Sequence, residues 1–92
     1  MENEMFVNFC NLLERVTTNK EEICVTFSCK VGNMTMTFVP YEYSYHDGIY
    51  IESREEDSVK INHIDAIFYD EMEEIFNITC GEVSIFISRL PN

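Results

Sequence analysis

Ninety-two residues, 46% hydrophobic and 13% aromatic, suffice for one domain (1-92) with a core of its own and argue against a disordered chain. Seventeen Asp and Glu against six Lys and Arg give a formal charge of -11, which argues against a nucleic-acid backbone or an anionic membrane as direct partner. A basic protein surface, a cation or plain solubility remains as what such a charge serves.

No segment approaches the roughly 18 apolar residues that span a bilayer, and Glu2 and Glu4 stand where a secretory signal carries Lys or Arg. A cytoplasmic protein is therefore expected, with Cys10, Cys24, Cys29 and Cys80 as reduced thiols.

In chain order, Phe6, Phe9, Cys10, Leu13 and Val16 recur at three- and four-residue spacings, which predicts an amphipathic helix over about 2 to 18. The helix should end at Thr17-Thr18-Asn19, residues that favour turns over helix interiors. From residue 22 the period becomes two. Ile23, Val25, Phe27, Cys29 and Val31 form one apolar face, and Met34, Met36 and Phe38 another, with Gly32-Asn33 as a two-residue hairpin turn. That turn sets Val31 against Met34, Cys29 against Met36 and Phe27 against Phe38.

A second hairpin is expected at Asp47-Gly48, between a run through Tyr41, Tyr43 and Tyr45 and a run through Ile49, Tyr50 and Ile51. Val59 and Ile61 mark a short further strand. The stretch 64 to 74 also fits helical spacing, but a helix there would gather Asp70, Glu71, Glu73 and Glu74 at its C-terminal end, where the macrodipole disfavours negative charge. A strand over about 65 to 70, followed by an acidic turn, is expected instead. Finally, Gly81-Glu82 should turn a hairpin that pairs Cys80 with Val83, Ile78 with Ile85 and Phe76 with Ile87. The expected fold is α+β: an N-terminal helix packed on a twisted antiparallel meander of about six or seven strands.

Catalytic and metal chemistry find no support. Cys24 and Cys29 are five apart in one strand and so point to opposite faces, unlike a zinc-ligand pair. Cys10, Cys29 and Cys80 fall on expected core faces, which leaves Cys24 as the accessible thiol. Neither His46 nor His63 sits in a nucleophile or metal pattern, and there is no calcium loop, phosphate-cradling glycine loop or nucleophile elbow. The chain is read as a non-enzyme without cofactor or metal.

Two features rise above that background. Glu55, Glu56 and Asp57 occupy one expected turn, and Asp70, Glu71, Glu73 and Glu74 another; in an up-and-down meander these turns should be neighbours and form one acidic edge. The bland reading of each run is a solvated loop. Tyr41, Tyr43, Tyr45 and Tyr50 fall on one face if the second strand continues past Pro40, with Tyr45 paired to Tyr50. If Pro40 introduces a bulge, the face inverts and the tyrosines turn to the core.

A small, acidic, tyrosine-bearing, motif-free chain whose ten Ile and eight Asn suggest an AT-rich coding genome resembles the phage-encoded acidic anti-CRISPR proteins. The resemblance lies in size, charge and strand content, with no shared motif. It implies a carboxylate array that imitates nucleic-acid phosphates and occupies the basic groove of a nucleic-acid-binding effector such as a Cas protein, the tyrosines serving as anchors. The alternative is an assembly or adaptor protein, a homodimer among its forms, that pairs through a sheet edge or its tyrosine face.

Overall fold

The chain opens with α1 (Glu4–Asn19), whose buried stripe of Phe9, Leu13 and Val16 follows the helical period. Its end is fixed by backbone geometry: Lys20 takes the left-handed conformation (φ 58°), Glu21 N–H donates to the Val16 carbonyl (2.9 Å) and Lys20 N–H to that of Thr17 (3.4 Å). This is the six-to-one closure usually given to glycine. The computed structural model describes residues 4–45 and 48–90.

Eight strands follow: β1 (Glu22–Cys29), β2 (Gly32–Phe38), β3 (Pro40–Ser44), β4 (Ile49–Ser53), β5 (Ser58–Ile61), β6 (Ala66–Asp70), β7 (Ile75–Cys80) and β8 (Val83–Leu90). The fold is α+β, as the periodicities indicate, with one strand more than the upper expectation. The strands form two antiparallel sheets, one in the order β2-β1-β8-β7-β6 and one in the order β3-β4-β5. Pairing of β1 with β8 brings the first and last strands together at the centre of the larger sheet. Ile23, Val25, Ile78, Ile85 and Ile87 from that sheet, and Ile49, Ile51, Val59 and Ile61 from the smaller one, meet the helix in a single core.

The C-terminal hairpin has the expected register: Cys80 faces Val83, Ile78 faces Ile85 and Phe76 faces Ile87. The expected strand near 65 to 70 and its acidic turn are also present, as β6 and residues 71–74.

The first hairpin differs. Phe27 faces Met34, Val25 faces Met36 and Ile23 faces Phe38, so the turn is at Lys30-Val31 and Cys29 faces Gly32 instead of Met36. The displacement is by an even number of residues, so the apolar faces still coincide. The expected register would have extended the ladder to set Val25 against Pro40, which has no N–H to give, and Ile23 against Glu42. Ending β2 at Phe38 avoids both. Cys29 consequently lies exposed at the hairpin tip, not in the core, while Cys10, Cys24 and Cys80 are all half-buried.

The second hairpin is shifted by one residue. Ser44, not Tyr45, pairs with Tyr50, and Tyr43 pairs with Ile51. The shift is already present where Ser44 meets Tyr50, the pair nearest the turn; a bulge between Pro40 and Glu42 moves the register by one more, and the chain changes sheets at Val39 instead of continuing past Pro40 in one strand. Gly48 (φ 121°) lies so close to β5 that a Cβ there would meet the Ile61 carbonyl oxygen, so only glycine fits. The rest of that turn, with His46 and Asp47, lies outside the described residues.

Candidate functional site

Both acidic turns are held by a side-chain oxygen at their start. In the turn between β4 and β5, the Ser53 hydroxyl accepts hydrogen bonds from the backbone N–H groups of Glu55 (3.0 Å) and Asp57 (3.1 Å), and Ser53 N–H donates to the Asp57 carbonyl (2.8 Å). Ser53 is buried by its neighbours, yet Glu55, Glu56 and Asp57 are all exposed. In the turn between β6 and β7, Asp70 Oδ1 accepts from Met72 N–H (2.9 Å) and Glu73 N–H (3.3 Å), and Glu71, Glu73 and Glu74 are exposed. Each turn therefore presents its carboxylates from an ordered backbone.

The turns share a second property. Glu56 (φ 76°) and Glu74 (φ 56°) sit in the left-handed region, where glycine or asparagine is the easier occupant and another residue costs about 1–3 kcal/mol. With Lys20 they are the non-glycine residues at positive φ among those described. A carboxylate occupies the strained position in both loops.

The two turns belong to different sheets and line different recesses. The first turn lines, with Thr17, Lys20, Phe38 and Tyr41, a depression of about 740 Å³; Asp70 and Glu73 of the second line one of about 250 Å³ with Phe68, Asn77 and Phe86. Two sheets stand in place of the single expected meander.

The tyrosines are also divided. Tyr43 and Tyr45 turn toward the helix: their rings are 5.5 Å apart, and Tyr45 meets Phe6 edge-on at 5.7 Å. Burial raises the Tyr45 phenol well above the ordinary tyrosine range, and its hydrogen bonds to Cys10 and Tyr43 add to the rise; burial likewise raises the Cys10 thiol. Tyr50 lies on the opposite face of β4, where its hydroxyl donates to the Glu52 carboxylate, which raises its pKa. Tyr41, displaced by the bulge, lies under the Arg54 guanidinium, 4.2 Å from its ring centroid. The sequence offered a signal for that contact, because Arg54 opens the acidic run and Pro40 marks the bulge.

Among the described residues no three His, Cys, Asp or Glu side chains converge as metal ligands, and no helix is long and apolar enough to cross a membrane. His63 Nε2 lies 2.9 Å from Asp65 Oδ1, and the other oxygen of Asp65 accepts from Gly81 N–H (2.8 Å). That pair ties two loops together.

Cross-strand register also groups side chains that the sequence reading did not single out. The outer face of the larger sheet carries the row Phe68, Asn77, Phe86, Thr26 and Thr35, flanked by rows of mostly small uncharged residues. The outer face of the smaller sheet carries Glu42 opposite Glu52, and Tyr50 opposite Lys60.

The chain matches no protein-family model, no curated protein and no solved structure at a level that shows kinship.

Proposed function

We propose that this chain is a small acidic binding protein that acts by occupying the basic groove of a nucleic-acid-binding protein, as a phage-type inhibitor of a bacterial defence effector of the CRISPR–Cas kind would. The observation that carries the reading is the placement of Glu56 and Glu74 at left-handed positions of two ordered, exposed turns. Solubility needs only net charge, and it would be served equally by glycine in those positions and carboxylates elsewhere. Carboxylates held where the backbone resists them fit a surface whose geometry matters. A basic groove attracts such a surface over a distance and releases its own counterions on contact.

Division of the acids into two turns fits a partner whose basic residues line two sides of a groove. Tyr41, 44% exposed under Arg54 beside the first turn, is the aromatic side chain best placed to add a desolvated contact. The alternative, an adaptor that docks through a tyrosine face, draws less support, because Tyr43 and Tyr45 are engaged between the helix and β3.

Affinity capture from a bacterial lysate at low and at high salt tests the proposal. Recovery of a nucleic-acid-binding protein at low salt, released by salt and displaced by its own nucleic acid, is the expected result. A partner that salt and nucleic acid both leave in place would overturn it.

A further inference from the structure

We propose that the outer face of the five-stranded sheet is the contact surface between two copies of this chain, joined sheet to sheet. The inference is argued from other observations than the functional reading, on a face that borders the second acidic turn, where Asp70 and Glu73 line one recess with Phe68, Asn77 and Phe86.

Residues paired across strands share a face, so the register defines three complete rows on the side away from the helix. The middle row runs Phe68, Asn77, Phe86, Thr26, Thr35. The rows beside it hold Ser, Thr, Ala, Cys, Asn and Ile, with Asp70 at one corner as the only charged residue. Even that carboxylate is turned into its own loop, where it accepts two backbone N–H groups. None of these residues is buried, so no other described part of the chain covers the face. The chain carries seventeen acids and six bases, and among the described residues the charges nearest this surface stand at its rim: Glu22 and Glu73 past one end, Lys30 and Glu82 past the other.

A charge-free face on a molecule of charge -11 fits a second copy better than other occupants. Two such molecules repel, and packed sheets lie about 10 Å apart, close to the Debye length of ~8 Å at physiological salt. Carboxylates on the contact face would therefore meet unscreened, whereas those on the rim are held apart. A basic partner would instead favour carboxylates on the contact face, and an anionic membrane would be repelled by the rest of the molecule. The size is also suitable. Five strands and three rows cover on the order of 500 Å² in projection, before side-chain relief is counted. A standard interface takes about 800 Å² of accessible surface from each partner.

Asn77 adds a specific detail. Its Oδ1 is buried beside Phe68 and Phe86 and has no hydrogen-bond partner among the described residues. In a two-fold interface a residue near the axis meets its own copy, and a primary amide complements itself as donor and acceptor. A small shift of the Asn77 side chain on docking would satisfy the oxygen. A dimer of this kind would also present two sets of acidic turns to one partner.

The test is sedimentation equilibrium of the whole chain over a range of protein and salt concentrations. Dimerisation that strengthens as salt is raised is expected, opposite in sign to the salt response of a complex with a basic partner. Thr26→Glu should weaken the dimer at least about 100-fold, because it places an uncompensated charge in each half of the contact. Asn77→Asp, nearly isosteric, should act the same way, with circular dichroism confirming that both variants fold. Cys24 lies on this face and Cys29 at the exposed hairpin tip, so alkylation of Cys24 should slow as protein concentration rises while that of Cys29 does not. A wild-type chain that remains monomeric at about 100 µM in high salt overturns the proposal, since interfaces of standard size reach micromolar affinity or better. Dimerisation unaffected by both folded variants overturns it equally.

Discussion

The outer faces of the two sheets have been built to opposite rules. On the smaller sheet Glu42 stands directly across from Glu52, with Tyr50 bonded to Glu52 and Lys60 alongside. On the larger sheet three rows pass with Asp70 as the one charge, at a corner. Charge spread for solubility alone would appear on both faces. Its segregation fits the two proposals, repulsion being tolerated on the face left to water or a basic partner and removed on the face proposed to meet a second copy.

Binding offers the largest test of the charged side. Replacing Asp70, Glu71, Glu73 and Glu74 by Asn and Gln removes charge at nearly constant shape, and Asn at position 70 keeps an oxygen for the turn. Affinity for the captured partner should fall by orders of magnitude, measured by calorimetry, while thermal unfolding shows no loss of stability. Strain relief comes next. Glu74→Gly, Glu56→Gly and Lys20→Gly should each stabilise the fold by about 1 kcal/mol in urea unfolding, because each removes a side chain from a left-handed position. The two glutamate variants should bind the partner more weakly despite being more stable. Lys20→Gly should not.

Smaller again is the effect of the facing glutamates. Glu42→Lys turns a like-charge pair into an opposite one across β3 and β4 and should add roughly 0.5 kcal/mol by the same measurement. The corresponding reversal has no counterpart on the larger sheet, where there is no facing pair to relieve. The last effect is pH-dependent. The phenol of Tyr45 and the thiol of Cys10 are both raised in the folded chain, so the folded state holds those protons more tightly than the unfolded one. Their stabilisation is complete below the ordinary thiol and phenol ranges and is lost as pH rises through about 9 to 10 and beyond. Tyr45→Phe should flatten that alkaline decline.

Much of the fold was legible in the sequence where one signal had no competitor. The C-terminal hairpin has a turn at Gly81-Glu82 and unbroken alternation on both sides, and its register reads directly from Ile78 and Ile85. The strand at 66–70 was legible from the macrodipole penalty that a helix would have met. In the first hairpin two signals competed: Gly32-Asn33 invited the turn, but Pro40 had to stay out of the ladder, and the turn moved to Lys30-Val31. In the second hairpin a one-residue change of register, already present at Ser44 and Tyr50 beside the turn, was enough to divide the tyrosines between two faces.

The site was half legible. Charge runs located both acidic turns, but their placement on two different sheets depends on a topology that no local pattern encodes. The neutral face was present in the sequence as Thr, Ser, Cys and Asn at alternate positions of β1, β2, β7 and β8. It becomes visible only when those strands are aligned by register.

The claim that the acidic turns recognise a basic groove is tested most directly by the salt dependence of binding, compared between the wild-type chain and the variant with Asp70, Glu71, Glu73 and Glu74 neutralised. The wild-type affinity should fall steeply and linearly on logarithmic axes as salt is raised, and the variant's slope should be shallower by about one unit for each ion contact removed. Equal affinity and equal slope for the two proteins would contradict the account and leave that acidic turn as a solvated loop.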